Sequence, residues 1–210
     1  MKMNRRLSKK NSTSIIALDA DGVLLDYNAA YRFAWYRAFG ELPELLDANA
    51  YWAIDRWNVR RLNGEELAHF RIFFDENYWR TIPALPNAVK ACKALHDAGF
   101  ELVCVSAVEP QFEHARFHNL LDYGFPISKV IATSGMGNAI SPKAAALREL
   151  DPIAFVDDFL PYLRGIPSEI HTALIMREPN GTPNTGDELK IAHSVHSDLN
   201  DFATWWLSSI

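Results

Sequence analysis

Short apolar runs recur along the chain, and most are followed by residues with helical spacing. Ile15–Leu18 reads as a buried strand. Pro86–Ala98 reads as a helix, with Val89, Cys92 and Leu95 on one face and Gly99 as its stop. Leu102–Val105 predicts a second buried strand, Glu109–Leu121 a helix and Lys129–Ala132 a short strand. Ser141 and Pro142 form a cap and first-turn pair, predicting a helix to about Leu150. Ile153–Val156 and Thr172–Ile175 predict two more strands, and Leu199, Phe202, Ala203 and Trp206 a closing amphipathic helix. Continuous apolar strands alternating with helices imply an α/β fold, a parallel sheet with helices on both faces.

One stretch breaks this alternation. Residues 27–80 hold 14 of the 25 aromatic side chains, and their period is helical. Leu67, Phe70, Phe74 and Tyr78, spaced by three, four and four residues, fit one helix face. The stretch reads as a helical insert after the first strand, and its rings as the insert's own core rather than a stacking surface for a base.

Composition and charge narrow the classes. Of the 210 residues 49% are hydrophobic and 22% charged, a globular balance rather than a disordered one. Net charge is −5, but Lys2, Arg5, Arg6, Lys9 and Lys10 all lie in the first ten residues. Without those five, the rest has 16 basic and 26 acidic side chains, which argues against nucleic acid as a partner. Residues 1–13 read as a flexible basic tail, with a nucleic-acid or anionic-membrane arm as the competing reading. No apolar run approaches the ~18 residues of a membrane span. Asp19 and Asp21 cut short the apolar run that a signal peptide would need, so a cytoplasmic location is expected. Cys92 and Cys104 lack metal-ligand spacing and read as reduced core residues.

In sheets of this kind ligands bind beyond the carboxyl ends of the strands. Asp19, Asp21 and Gly22 follow the first apolar run, Ser106 the second, and Asp157 and Asp158 the run at Ile153–Val156. Lys143 lies at the start of the helix opened by Ser141. Clustered carboxylates repel one another, and an all-oxygen, negative site favours Mg²⁺ together with a substrate phosphate. Lys143 and Ser106 then suit the remaining phosphate oxygens. Asp19 suits attack on phosphorus, and Asp21 suits proton transfer to the leaving oxygen and from water.

These residues match a known family pattern. The chain resembles the haloacid dehalogenase (HAD) superfamily of phosphohydrolases over roughly residues 14–207. Asp19-Ala20-Asp21-Gly22-Val23-Leu24 matches its first motif, Leu102-Val103-Cys104-Val105-Ser106 its second, Lys143 its third, and Phe155-Val156-Asp157-Asp158 its fourth. Val23 stands where many members have threonine, and Lys143 sits in Ser-Pro-Lys-Ala-Ala rather than the common Lys-Pro-x-Pro. The resemblance implies a Rossmann-like core (residues 14–26 and 84–210) and a helical cap (residues 27–83). It implies Asp19 as nucleophile and Mg²⁺ ligand, and Asp21 as acid/base with its backbone carbonyl on the metal. Asp157 and Asp158 would be further metal residues, and Ser106 and Lys143 the phosphate binders. Dehalogenases of the family lack the second aspartate. Phosphonate-cleaving members use a cap lysine, and no lysine occurs between Tyr27 and Pro83.

The implied function is a Mg²⁺-dependent phosphatase acting on a small phosphorylated metabolite. Its alternatives are a sugar phosphomutase and a catalytically silent binding protein; the oligomeric state stays open. A response-regulator domain has the same residue types in another order and no helical insert. Within the cap, Arg56 and Arg60 are expected on one helix face, either contacting a second anionic group or forming surface pairs with Asp55, Glu65 or Glu66. Asn63-Gly64 reads as a turn near the site. His69, His96, His114 and His118 read as surface or partly buried residues rather than ligands.

Overall fold

The computed structural model describes residues 13–135 and 139–209. The segment expected as a tail, residues 1–13, lies outside the described residues except for Thr13. Six strands form one parallel sheet: β1 (Ile15–Leu18), β2 (Glu101–Ser106), β3 (Ile127–Ala132), β4 (Ala154–Asp157), β5 (His171–Ile175) and β6 (Ser194–His196). Their order is β3-β2-β1-β4-β5-β6. The chain builds outward from β1 to β3, then returns to the other side of β1 with β4. The crevice between the carboxyl ends of β1 and β4 is therefore the switch point where such sheets bind ligands.

Eight helices accompany the strands among the described residues. They are α1 (Tyr27–Phe39), α2 (Ala53–Arg56), α3 (Gly64–Arg71), α4 (Glu76–Arg80), α5 (Ala88–Asp97), α6 (Glu113–Asp122), α7 (Ala144–Leu150) and α8 (Leu199–Ser208). The two-residue period of a strand sends alternate side chains to opposite faces. Ile16, Leu18, Leu102 and Cys104 pack with Cys92 and Leu95 of α5 and Phe202 of α8. Ala17, Val103, Val105 and Phe155 pack on the other side with Leu147 of α7 and with Leu160 and Leu163. Burial on both faces is why these strands read as unbroken apolar runs. Cys92 and Cys104 are buried free thiols, as expected, and burial pushes the Cys104 thiol up to about 12.

The insert between β1 and β2 carries α1 to α4. Its two connecting segments lie together: Asp26 N–H donates to the Pro83 carbonyl at 2.7 Å and Leu85 N–H to the Leu24 carbonyl at 2.9 Å. Its aromatic rings do form a core. Tyr31 and Phe70 have centroids 5.2 Å apart, Phe70 and Phe74 5.1 Å, and Phe74 and Tyr78 4.6 Å. This core is continuous with the buried face of the sheet. On its far side the insert grips the loop after β5. Tyr51 N–H donates to the Asn180 carbonyl at 2.9 Å, Asn180 N–H donates to the Asn49 carbonyl at 2.9 Å, and Arg56 pairs with Glu178 at 3.2 Å.

Several elements differ from the sequence expectation. Leu67, Phe70, Phe74 and Tyr78 do not share one helix, because α3 ends at Arg71 and Asp75 starts a new one. The Asp75 carboxylate caps α4 by accepting the Tyr78 N–H at 2.9 Å, so a capping residue divided an otherwise regular pattern. Arg56 and Arg60 do not share a helix face either. Trp57 is extended (φ −104°, ψ 145°) and ends α2 at Arg56. Arg60 pairs with Glu66 and Arg61 with Asp55, each at 2.7 Å, which is the surface-pair reading. Asn63 and Gly64 open α3 at an exposed position. The helix expected from Ser141 begins at Ala144; Ser141 instead caps a turn, its Oγ accepting the Lys143 N–H at 3.1 Å. The helix expected from Glu109 begins as a 3-10 turn (Pro110–Phe112) before α6. Strand β6 was not expected at all, because it is three residues long with one apolar side chain. His69, His96 and His114 are exposed and His118 is half-buried. No helix among the described residues is long and apolar enough to cross a membrane.

Candidate active site

The parallel registers bring the sequence-selected residues to one sheet edge. Asp19 leaves β1, its N–H donating to the Val156 carbonyl of β4 at 2.9 Å. Asp157 ends β4, and Asp158 follows it. One carboxylate oxygen from each of Asp19, Asp157 and Asp158 lies within 4.8 Å of the others, and all three residues are buried. Lys143, fully buried at the start of α7, sits between two of them. Its Nζ is 2.6 Å from Asp19 Oδ1 and 2.6 Å from Asp157 Oδ2. Burial opposes the lysine's charge, but Asp157 and Asp19 together hold it above the usual lysine range. Burial also drives Asp157 and Asp158 upward, against the pull of Lys143 and Arg177 respectively.

Asp21 stands apart from this trio. Its Oδ2 accepts from Arg116 Nη2 at 2.7 Å, and its Oδ1 has no hydrogen-bond partner. Burial raises its pKa, with Arg116 opposing. Ser106 ends β2; its buried Oγ is likewise without a partner. The four acids, the serine and the lysine therefore converge as expected. Lys143 is engaged by two carboxylates, and the Asp21 carboxylate lies outside the metal-like group.

Four further residues complete the site. Arg177 Nε pairs with Asp158 Oδ2, and its guanidinium lies 4.2 Å over the Tyr51 ring. The Tyr51 hydroxyl is 3.2 Å from both the Asp158 carbonyl and Oδ2. Asn184 Nδ2 donates to the same carbonyl at 2.6 Å. Arg116, fully buried on α6, holds Asp21 from the opposite side. Arg177 follows the end of β5 by two residues, so the strand-end rule that found the aspartates also points to it. Arg116 had a weaker signal, a charge on the helix face that also carries Ala115, Asn119 and Leu120.

Gly22 makes the tight turn between these groups possible. It has φ +85°, and a Cβ there would overlap the Asp158 carboxylate and come within 2.8 Å of Arg177 Nε. Gly22→Ala is expected to lose about 1–3 kcal/mol from backbone strain. Thermal melting checks this; a variant with the parent's melting temperature would refute it.

No family model matches the sequence, and no curated protein matches it by sequence. Solved structures do match its shape. A HAD family hydrolase from Deinococcus radiodurans R1, with bound phosphate and sodium, superposes with a TM-score of 0.62 at 14% identity, over 94% of this chain and 96% of that one. The chain has the haloacid dehalogenase fold. Two other structures share this fold. One is described as a predicted phosphoglycolate phosphatase from Haemophilus somnus 129pt (TM-score 0.62, 15% identity, 92% of this chain and 98% of that one). The other is a phosphonoacetaldehyde hydrolase-like protein from Oleispira antarctica (TM-score 0.56, 15% identity, 97% and 96%).

Proposed function

We propose that the chain is a Mg²⁺-dependent phosphatase that hydrolyses a small phosphomonoester through a phosphoryl group carried on Asp19. The observation that carries this reading is the division among the aspartates: three present oxygens within 4.8 Å of one another, and Asp21 is held apart on Arg116. The donor set fits a hard divalent ion, since it is all oxygen, buried and close-set. Asp19, Asp157 and Asp158 would hold Mg²⁺, whose bound charge neutralises the phosphoryl oxygens and relieves repulsion with the attacking carboxylate.

Lys143, its Nζ 2.6 Å from Asp19 Oδ1, orients that carboxylate. Asp19 attacks phosphorus, forming an O–P bond as the bond from phosphorus to the substrate's alkoxide oxygen breaks. Asp21, raised in pKa, gives its proton to that leaving oxygen. It then takes a proton from water, which attacks the same phosphorus, releases phosphate and restores Asp19. Ser106 Oγ, a buried hydroxyl without a partner, would bind a phosphate oxygen. Residues 27–83 act as the cap that excludes bulk water, over a core of residues 14–26 and 84–210. The phosphate and sodium in the Deinococcus structure of the same fold support this reading.

A panel of phosphorylated metabolites, assayed with Mg²⁺ and with EDTA, tests it. Phosphate release that needs the metal is expected. Full activity in EDTA would overturn the metal assignment, and a sugar-phosphate isomer in place of free phosphate would replace hydrolysis with a mutase reaction.

A further inference from the structure

A cavity of about 640 Å³ opens beside Asp19 and Asp21, between the insert and the sheet edge. That is far more room than a phosphate group and a two-carbon acid occupy. Beside aliphatic residues such as Ile54, Leu62 and Leu67, its walls carry the rings of Tyr27, Tyr31, Phe70, Phe74 and Trp79. Core packing accounts for Tyr31 and Phe70, which are buried. Tyr27, Phe74 and Trp79 pack against the same core but remain half-buried, and each also lines the cavity. Their orientations are fixed before any ligand arrives. Trp79 Nε1 donates to the Phe74 carbonyl at 3.0 Å, and Tyr27 and Phe74 stack with centroids 6.5 Å apart.

One cation of the insert on this wall is unspent. The insert has seven arginines. Arg37, Arg56, Arg60, Arg61 and Arg80 pair with carboxylates, and Arg32 donates to the Pro43 carbonyl and lies over the Trp57 ring. Arg71 alone among the described arginines of the insert has neither a hydrogen-bond nor an ion-pair partner, and it lines the cavity.

We propose that the substrate is the phosphomonoester of an alcohol bearing a planar aromatic or heteroaromatic ring, with an acceptor or anionic group at the far end of the ring for Arg71. This rests on the phosphatase reading and specifies it. A ring gains by burial against preformed aromatic walls, through both apolar area and offset or edge contacts. A polyhydroxylated sugar would lose its water contacts against the same walls without recovering them. The free guanidinium fits a carboxylate or carbonyl in two-pronged geometry.

The test uses the full chain with Mg²⁺ and esters of alcohols, so that differences among substrates do not reflect an easier phenolic leaving group. The probes are benzyl phosphate, 4-carboxybenzyl phosphate, glycerol 3-phosphate, glucose 6-phosphate and phosphoglycolate, with acetyl phosphate as a donor small enough to need no cavity wall. Benzyl phosphate is expected to exceed the best ring-less ester in kcat/KM by about 100-fold. The carboxyl group is expected to add about tenfold, and Arg71→Gln to remove that increment. Phe74→Leu is expected to lower kcat/KM for benzyl phosphate by about tenfold, chiefly through KM. Arg71 is exposed and unpaired, so its variant keeps the result readable even where Phe74→Leu does not fold.

Acetyl phosphate hydrolysis with ring-less esters equal to or better than benzyl phosphate would overturn the substrate class and leave the phosphatase standing. An Arg71→Gln variant that lowers both benzyl esters equally would overturn the role of Arg71. No hydrolysis of any probe would overturn the phosphatase reading itself.

Discussion

Asp19→Asn is expected to lower phosphate release by about 10⁴-fold or more, because the amide cannot carry the phosphoryl group. The substitution is nearly isosteric, and its amide oxygen can still accept from Lys143 Nζ, which lies 2.6 Å from Asp19 Oδ1. It also removes one of two carboxylates crowded on that lysine, leaving Asp157 as partner. Folding should therefore survive the change. A melting temperature near that of the parent, with retained binding of a phosphate analogue, separates a lost nucleophile from a lost fold. Release within about tenfold of the parent would remove Asp19 from the mechanism, since loss of a nucleophile costs far more than that.

Lys143→Met is expected to be the most damaging substitution to stability. The side chain is fully buried and serves Asp19 and Asp157 together. Methionine fills similar space but leaves two buried carboxylates without their cation. Breaking one side of a buried pair costs about 3–5 kcal/mol. In a chain of this length that corresponds to a fall in Tm of about 10 °C. Mg²⁺ should raise the Tm of the variant more than that of the parent, because a ligand that binds only the folded state stabilises it through mass action. Thermal melts with and without Mg²⁺ check both parts. An unchanged Tm would show that the two carboxylates do not depend on the lysine.

The sequence revealed one side of the site more clearly than the other. Asp19, Asp157 and Asp158 follow apolar runs buried on both faces of a parallel sheet, so strand ends and chemistry appear together in the pattern. Their counter-charges do not follow that rule equally. Arg177 stands just past β5, where the same rule reaches it, but Arg116 acts from α6 across 95 positions to Asp21. No local pattern encodes a contact of that span. The sheet shows the same contrast. Strand β6, short, polar and at the edge, lacks the apolar run that marks a central strand. Within the insert the ring spacing correctly marked a shared aromatic core, while Asp75 split the helix expected to carry it. Tyr51 had no signal as a site residue, because its contact with Asp158 depends on how the insert lies against the loop after β5.

That contact has a kinetic consequence. Asp158 takes partners from both sides of the entrance: Arg177 and Asn184 from the sheet side, and Tyr51 from the insert. Tyr51 is itself tied by its backbone to Asn180. If the proposed cap opens to exchange ligand, the Tyr51 hydroxyl would leave Asp158, and that carboxylate would hold its full set of partners only in the arrangement described above.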